Sequence, residues 1–223
     1  MKVSVVIPAK NEEEGIEKII KGAQKHANEI LVVDGRSTDM TRKIAKECGA
    51  KVVLDGGKGK GDGIRKGIRK AKGDIIVFID ADGSHSPRDI PKLVAPIKSG
   101  KADLVVASRA KGGSDEVRLD FEGLFRQIGS EIAAILVNLR WRANLTDIQN
   151  GFRAIRKKTA LALKLESDGF EIEEEMVMKC LKRGVRIMEV GGHEYQRKWG
   201  VSKLPTIQAW RFLLRLFKEL LTI

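Results

Sequence analysis

Five short apolar runs alternate with helix-length amphipathic segments over the first 110 residues, and this alternation constrains the fold more than any other feature. The apolar runs cover residues 3–7, 30–33, 52–54, 75–79 and 104–107. Such runs, rich in β-branched residues, are typical of strands buried on both faces of a parallel sheet. Segments with helical periodicity cover residues 12–26, 39–48, 62–71 and 87–99. The alternation predicts an α/β fold with a Rossmann-like, doubly wound and mostly parallel sheet.

The composition indicates one globular domain with anionic partners. The chain has 223 residues, of which 42% are hydrophobic and 32% charged, which excludes collagen-like, disordered and disulfide-framework proteins. Its net charge of +12 predicts binding to nucleotides, nucleic acid or lipid headgroups, without choosing among them. Two distant cysteines, Cys48 and Cys180, indicate a reducing compartment. The apolar run at the start is too short for a signal peptide, and no apolar stretch approaches the ~20 residues that span a bilayer.

The second half of the chain has a different pattern. Helical periodicity recurs over residues 121–139 and 171–182, and a strand-like segment follows at 185–190. Residues 206–223 place Trp210, Leu214 and Phe217 on one helical face and cations on the other, which predicts a basic amphipathic helix suited to a lipid interface or to packing on the sheet. One set of basic residues is predicted to meet lipid headgroups or to remain solvated: Arg140, Arg142, Arg153, Arg156, Lys157 and Lys158.

Polar residues follow the predicted strands at the sheet edge where α/β proteins bind ligands. After the first strand, Asn11 can cap a helix. After the second, Asp34 can accept hydrogen bonds from a base or ribose, or serve only as a turn residue. The third connection has five glycines among lysines that include Lys60, which predicts phosphate binding and a flexible solvated loop about equally.

The fourth predicted strand runs directly into Asp80-Ala81-Asp82. Two carboxylates one residue apart repel each other unless a cation or hydrogen-bond donor lies between them. A hard divalent ion that bridges the motif and a nucleoside diphosphate would remove this repulsion, because Mg²⁺ prefers one or two carboxylates together with phosphate oxygens. The alternative is a capped turn before Pro87, which explains one Asp more easily than two. His85 is expected to be a turn residue rather than a ligand.

In this order, the motifs resemble glycosyltransferase family 2, whose members are inverting enzymes with the glycosyltransferase A fold. The matching segments are VSVVIPAKNEE, EILVVDGRSTDMT, GGKGKGDGIRKGI, GDIIVFIDADGSHSP, ADLVVASR, TDIQNGFRAI, GFEIEEEMVMKCLKRGVRIMEV and YQRKWGVSKL. The later segments are similar to dolichol-phosphate mannose synthases and related polyprenyl-phosphate glycosyltransferases. The resemblance implies a single domain over residues 1–223, with a nucleotide-binding half (1–110), an acceptor half (111–204) and an interfacial amphipathic helix (205–223).

The resemblance also implies a set of site residues and a divalent metal, Mg²⁺ or Mn²⁺. The nucleotide-sugar-binding candidates are Pro8, Ala9, Asn11, Glu12, Asp34, Lys60, Asp80 and Ala81. The metal-ligand candidates are Asp80, Asp82 and Ser84, and Ser84 stands where the family pattern usually has Gln. The acceptor-phosphate candidates are Arg109, Arg126, Arg197, Ser202 and Lys203. Among all of these, Asp82, Arg109 and Arg197 are expected to act in catalysis.

The function implied by the resemblance is transfer of a sugar, mannose from GDP-mannose, to a polyprenyl or dolichyl phosphate. The protein would then lie peripherally on the cytoplasmic face of a membrane through its C-terminal helix, with no nucleic-acid partner. A phosphate acceptor needs no general base, whereas a hydroxyl acceptor would need one, for which Asp147, Glu171 and Glu173 are available. The alternatives are a transferase acting on a sugar hydroxyl or glycolipid, a nucleotidyltransferase, and a non-enzymatic basic module that binds membranes or nucleic acid.

Overall fold

Seven strands form one sheet in the computed structural model, which describes residues 1–115, 121–199 and 209–222. The strands are β1 (Val3–Ala9), β2 (Glu29–Asp34), β3 (Lys51–Leu54), β4 (Ile75–Phe78), β5 (Leu104–Ser108), β6 (Arg153–Arg156) and β7 (Ile187–Gly191). They lie in the order β3-β2-β1-β4-β6-β5-β7, and the pairings are parallel except those of β6 with β4 and β5. The predicted α/β fold with a mostly parallel sheet is confirmed.

Helices cover both faces of the sheet and follow the predicted segments closely. They are α1 (Ile16–Gln24), α2 (Thr41–Glu47), α3 (Lys60–Lys70), α4 (Ile90–Lys98), α5 (Arg109–Gly112), α6 (Phe121–Trp141), α7 (Lys157–Ala162), α8 (Ile172–Lys182) and α9 (Ala209–Leu221). A 3-10 turn (Pro87–Asp89) precedes α4, and the Ser86 hydroxyl caps it by accepting the Arg88 N–H (3.3 Å). The short helices α5 and α7 have no counterpart in the sequence prediction.

The strands β1, β2, β4 and β5 are buried on both faces because each face packs against its own layer of helices. Successive β4 residues alternate between the two layers: Ile75 and Val77 join the layer with α1 and α4, and Ile76 and Phe78 join the layer with α3, α6 and α8. All four are at most 2% exposed. This two-sided burial explains why the strand sequences are continuously apolar rather than alternating.

Strand β6 was absent from the sequence prediction, and its two arginines contradict the surface location expected for them. Arg153 is 1% exposed and points into the interior. Arg156 donates to the Asp103 carboxylate (2.8 Å) and to the Ile97 carbonyl (2.7 Å). Neither arginine is therefore available to lipid headgroups in the way that the basic run suggested.

Helix α9 docks on α8 largely through charged side chains. Leu216 is buried beside α8, and next to it the Arg215 guanidinium approaches Glu219 (3.2 Å) and Glu175 (3.5 Å). Lys182 of α8 contacts the other Glu219 oxygen at 2.7 Å. These contacts place the mainly charged face of α9 against the protein.

The opposite face of α9 is apolar and exposed. Trp210, Leu213, Leu214 and Phe217 are 53–60% exposed, and Leu221 is 82% exposed. The neighbouring helix α6, joined to α9 by a hydrogen bond from Arg140 Nε to the Leu220 carbonyl (3.3 Å), has its own exposed apolar stripe. That stripe consists of Ile128, Ile132, Ile135 and Leu139. We call the two stripes together the α6–α9 apolar surface. Within the described residues, no helix combines the length and hydropathy needed to cross a bilayer.

Candidate functional site

The parallel strands β1, β2 and β4 end at the same edge of the sheet, and most of the predicted nucleotide-binding residues lie there. Ala9 at the end of β1 pairs in register with Asp34 at the end of β2. β4 lies on the other side of β1, so the loop that begins with Asp80 leaves the sheet next to the β1 terminus. The fold therefore brings Ala9, Asp34 and Asp80 to one cleft although they are distant in sequence.

Asn11 and Glu12 tie the loop after β1 to the loop after β2. The Asn11 side-chain oxygen accepts the Thr38 N–H (2.9 Å), and the Glu12 N–H donates to the Thr41 hydroxyl (2.8 Å). Asn11 adopts a positive φ of 51°, and α1 begins only after Gly15. The prediction that Asn11 caps the first helix is wrong, because its side chain organises the neighbouring loop instead.

Asp34 is fully buried at the base of this cleft. One carboxylate oxygen accepts the Ser37 N–H (3.1 Å) and lies 3.6 Å from Arg42 Nε. The other oxygen has no hydrogen-bond partner among the described residues. A buried acceptor without a donor is costly, so Asp34 is suited to receive a hydrogen bond from a ligand.

Asp80 belongs to a buried ion-pair chain that joins three parts of the sequence. Lys60, at the start of α3, contacts Asp80 Oδ2 at 2.8 Å and Glu173 Oε1 of α8 at 2.7 Å. Burial alone would lower the pKa of Lys60, but the two carboxylates raise it above its usual value. Burial likewise opposes ionisation of Asp80, and the adjacent ammonium nevertheless holds the pKa of Asp80 below its usual value. Both Lys60 and Asp80 are therefore charged at neutral pH.

Gly151 leaves the space in which this chain of contacts forms. A Cβ at Gly151 would lie 2.8 Å from Glu173 Oε1, 3.0 Å from Lys60 Nζ and 3.1 Å from Asp80 Oδ2. Any larger residue would therefore push into the ion pairs. The loop before β6 thus shapes the acidic site although it contributes no charge at this point.

Asp82 has its own cation and its own internal hydrogen bonds. Arg197 Nη2 lies 3.0 Å from Asp82 Oδ2, while Asp82 Oδ1 accepts the Ser84 hydroxyl (2.6 Å) and N–H (3.0 Å). Ser84 supports the carboxylate in this structure rather than standing apart as a third donor. The repulsion expected between Asp80 and Asp82 is relieved by one cationic side chain for each carboxylate.

The segment that carries Arg197 lies directly over the acidic loop. The Tyr195 N–H donates to the Ser84 carbonyl (2.8 Å), and the Lys198 N–H donates to the Asp82 carbonyl (3.1 Å). The Trp199 ring covers Gly83, where a Cβ would meet the ring at 2.5 Å. These contacts close one side of the cleft.

His85, which the sequence analysis interpreted as a turn residue, is buried in the structure. Its Nδ1 lies 3.1 Å from the Ser84 hydroxyl, and its ring packs against Phe152 with the centroids 5.1 Å apart. Burial lowers the pKa of His85 to about 4, so the imidazole is neutral at physiological pH. It therefore adds no positive charge to the acidic site.

The donor set at this corner fits a hard divalent ion that also binds a ligand. Among the residues that the structure describes, no group of three or more His, Cys, Asp or Glu side chains forms a complete metal cage. Asp80 and Asp82 instead offer carboxylate oxygens that already face positive charge. Mg²⁺ and Mn²⁺ suit such a site, because phosphate oxygens and water complete their coordination.

Arg109 follows β5 and is engaged by Asp147. Its Nε and Nη2 donate to the two Asp147 oxygens at 2.6 and 2.9 Å, and its remaining nitrogen Nη1 lies 3.8 Å from Glu194. Burial works against both charges, but the bidentate contact raises the pKa of Arg109 and lowers that of Asp147. Of the other acceptor-phosphate candidates, Ser202 and Lys203 lie outside the described residues, as does the side chain of Arg126.

The glycine-rich connection has a packing role that the sequence did not reveal. A Cβ at Gly59 would lie 2.6 Å from the Asp168 carbonyl oxygen, and one at Gly61 would lie 2.3 Å from the Ser167 carbonyl oxygen. These two glycines are therefore required for close approach to the segment before α8. Lys60 lies between them, so the same packing fixes its position beside Asp80.

Two contributors to the site were only partly visible in the sequence. Glu173 and Asp147 stood out as candidate bases, but their pairing with Lys60 and Arg109 depends on the fold. Arg153 was assigned to the surface, and no sequence signal marks its burial.

Comparison with known proteins agrees with this geometry. Residues 4–161 match the Glycosyl transferase family 2 domain. The chain is 34% identical to the dolichol-phosphate mannosyltransferase of Pyrococcus furiosus, over 98% of this chain and 63% of that protein. It is 32% identical to the undecaprenyl-phosphate mannosyltransferase of Micrococcus luteus, over 92% of this chain and 88% of that protein. The glycosyltransferase AglJ of Haloferax volcanii is also 32% identical, over 89% of this chain and 64% of that protein.

Solved structures extend the comparison to the fold. Glucosyl-3-phosphoglycerate synthase from Mycobacterium tuberculosis, in complex with Mn²⁺, uridine diphosphate and phosphoglyceric acid, superposes with a TM-score of 0.76 at 24% identity. The match covers 100% of this chain and 79% of that one. The chain spans less than two thirds of the length of AglJ and of the Pyrococcus protein. With the domain match over most of its length, and the strand ends arranged as the resemblance implied, this chain belongs to glycosyl transferase family 2.

Proposed function

We propose that this protein transfers a hexose, mannose from GDP-mannose, to a polyprenyl phosphate with inversion at the anomeric carbon. The relatives named as dolichol-phosphate and undecaprenyl-phosphate mannosyltransferases support both the sugar and the acceptor. The Mycobacterium neighbour binds uridine diphosphate, so the guanine base rests only on the sequence resemblance described above. Mn²⁺ and Mg²⁺ both occur with the nucleotide in structures of that neighbour.

The observation that carries the choice of acceptor is the engagement of the candidate bases. Asp147 is held by Arg109, Glu173 by Lys60, and Glu171 accepts the Gly169 N–H at 3.2 Å. Against the effect of burial, the contact with Arg109 lowers the pKa of Asp147 and makes it a poor proton acceptor. Burial raises the pKa of Glu173, but its carboxylate lies against the Lys60 ammonium. A hydroxyl acceptor would require one of these carboxylates to leave its partner and take a proton. A phosphate acceptor is already anionic and requires no base.

Glu174 does not supply the missing base either. Its side chain is fully buried, and burial raises its pKa to about 8. At neutral pH it is therefore mostly protonated and cannot take a proton from an acceptor. Of the candidates, Asp147 and Glu173 are therefore each engaged by a cation, and Glu174 is mostly protonated.

In the proposed reaction, the acceptor phosphate attacks the anomeric carbon and the nucleoside diphosphate departs. Asp80 and Asp82 would hold the divalent ion, which supplies neutralisation of the charge that develops on the diphosphate. Arg197 stands next to Asp82 and adds a guanidinium fork for phosphate oxygens. Asp34 would accept a hydrogen bond from the nucleoside through its unpartnered oxygen.

The acceptor is a lipid, so the enzyme has to reach a membrane surface. We propose that the α6–α9 apolar surface lies in the headgroup region of the cytoplasmic leaflet. This surface has many exposed large apolar side chains on two neighbouring helices, whereas exposed apolar residues on a protein surface are normally scattered singly. The exposed cation Arg140 lies on α6 and would attract anionic headgroups.

Label transfer tests the proposal directly. The protein is incubated with dolichyl phosphate, Mn²⁺ or Mg²⁺, and either labelled GDP-mannose or labelled UDP-glucose, and the label in the organic phase is counted. Transfer from GDP-mannose is the expected result. Transfer to dolichol or to a glycolipid, but not to the phosphate, would overturn the acceptor, and no transfer from either donor would overturn the activity.

A pair of isosteric variants provides the control. Asp82→Asn removes one candidate metal ligand and is expected to abolish transfer. Asp74→Asn changes an exposed carboxylate that accepts the Lys2 N–H (2.7 Å), and it is expected to leave transfer unchanged. Equal activity of the two variants would contradict the role assigned to the acidic motif.

A further inference from the structure

We propose that Arg153 is a positioning residue that sets the geometry of the Glu173–Lys60–Asp80 chain from inside the core. The inference rests on the proposed metal and nucleotide site but concerns a residue that touches neither. Arg153 is 1% exposed and lies on β6, the strand antiparallel to both of its neighbours. It is one of the largest fully buried side chains among the described residues.

The guanidinium of Arg153 is satisfied by backbone carbonyl oxygens. Nε donates to the Asn150 carbonyl (2.9 Å), Nη1 to the Glu173 carbonyl (2.6 Å) and Nη2 to the Ile148 carbonyl (3.3 Å). Within the described part of the chain, no carboxylate lies at ion-pairing distance from it. Burial lowers the pKa of Arg153, but an arginine remains charged in proteins. The charge is therefore retained in the core without a counter-ion in contact.

An apolar side chain of similar size would avoid this desolvation, and replacing buried charges by apolar residues is often neutral or stabilising. What such a side chain would lose is a link between two elements, the loop 147–151 and the first turn of α8. The Gln149 amide also joins them by donating to Glu174 Oε2 (3.1 Å). Arg153 donates to backbone carbonyls of both, so together with Gln149 it sets the distance between them.

Both elements act on the acidic site. The α8 turn carries Glu173, whose carboxylate contacts Lys60 at 2.7 Å, and Lys60 in turn contacts Asp80 at 2.8 Å. The loop carries Gly151, whose missing side chain leaves room for all three groups. A small shift of the loop towards α8 would press the Gly151 backbone into this space. Removing Arg153 should therefore misplace Asp80 without removing any group that faces the ligand.

The test compares Arg153→Met with Arg156→Met, a matched change on the same strand. Arg156 lies at the other end of β6 and contacts Asp103 and a backbone carbonyl, away from the acidic site. Each variant is titrated by calorimetry with Mn²⁺ and GDP, and with Mn²⁺ and UDP. Hydrogen exchange of residues 147–151 and 172–175 is measured without ligand. Thermal unfolding reports stability.

For Arg153→Met we expect Mn²⁺–nucleotide binding roughly tenfold weaker, which is the lower range for loss of outer partners of a metal ligand. Exchange at 147–151 should rise in the same variant. Arg156→Met should keep the wild-type affinity and the wild-type exchange in that loop. A folded Arg153→Met protein with unchanged affinity and unchanged loop exchange would overturn the inference.

If Arg153→Met does not fold, Arg153→Lys tests the positioning role of Arg153 instead. Lysine keeps the charge but is too short to reach both the loop and α8, so partial loss of affinity and intermediate loop exchange are expected. Wild-type values in Arg153→Lys would overturn the positioning role. If the wild-type protein bound neither nucleotide with Mn²⁺, the proposed function would fail, while loop exchange would still decide the role of Arg153.

Discussion

The exposed apolar face of α9 predicts a measurable loss of membrane binding in the double variant Leu214→Ser, Phe217→Ser. The two side chains are 60% and 53% exposed. Full burial of such a side chain stabilises by about 1.5–3 kcal/mol, so inserting the exposed part of each contributes about 1 kcal/mol. The double variant should therefore lose about 2 kcal/mol, which is roughly a 30-fold decrease in the partition coefficient.

Sedimentation with vesicles measures this effect. Vesicles of phosphatidylcholine with anionic phosphatidylglycerol are titrated with protein, and the bound fraction gives the partition coefficient. Because the replaced side chains point away from the body of the protein, nucleotide binding and the unfolding temperature should not change. This combination separates loss of lipid contact from loss of fold.

A control variant with a similar loss of exposed apolar side chains tests whether the position of the replaced residues matters. Met40→Ser, Leu54→Ser alters two residues that are 46% and 49% exposed, Met40 directly before α2 and Leu54 at the end of β3, outside the α6–α9 apolar surface. Its partition coefficient should match that of the wild type. If both double variants bound vesicles equally well, within about threefold, the assignment of this surface to the membrane would be refuted.

Three further predictions concern the body of the protein. Replacing Gly by Ala inside an exposed helix stabilises a protein by ~1 kcal/mol. We expect this gain for Gly129→Ala, because no described atom lies within 4 Å of the added methyl group, and a loss of stability for Gly61→Ala, because its methyl group would lie 2.3 Å from a carbonyl oxygen. Chemical denaturation that changed the stability of both variants in the same direction would contradict this prediction. Lys60→Met leaves its two carboxylate partners without their cation and should destabilise by about 3 kcal/mol in the same assay, and an unchanged midpoint would count against the ion-pair chain. Hydrogen bonding to Lys218 is the main cause that lowers the pKa of Glu166 from 4.5 to about 2, so its support for α9 docking is complete above pH 4.5 and lost as the pH falls towards 2. Hydrogen exchange of α9, corrected for the intrinsic rate, should rise over that interval, and constant protection down to pH 2 would argue against electrostatic docking.

The parts of the fold that could be predicted are those with a local signature. β1, β2 and β4 are largely apolar because both faces of the sheet are covered there. Asp34 is the last residue of β2, and Asp80 follows β4 after Ile79. Asp34, Asp80 and Asp82 were therefore identified from strand ends alone. Their grouping follows from the parallel order of the strands, which the alternation with helices had already implied.

The parts that could not be predicted depend on partners distant in sequence. β6 reads Arg-Ala-Ile-Arg, which has the polarity of a surface segment, and it is buried only because Arg153 finds three carbonyl oxygens in the folded chain. In the same way, glycines that looked suited to a phosphate are required by the backbone of residues 167–168. A single sequence does not reveal such close approaches, because the identity of one residue does not indicate which distant residue it contacts.

The structure also changes the argument for a metal. From the sequence, the repulsion between Asp80 and Asp82 appeared to demand a bound ion, but Lys60 and Arg197 already supply one positive charge to each carboxylate. Repulsion alone therefore does not require a metal. The two carboxylates require positive charge nearby, and the two cations that supply it are held differently. Lys60 is fixed between two carboxylates in the core, while Arg197 belongs to the segment that covers the site. A metal–nucleotide complex that enters this corner would take over Asp82 most easily, because Arg197 can follow the phosphates while Lys60 stays to hold Asp80 in place.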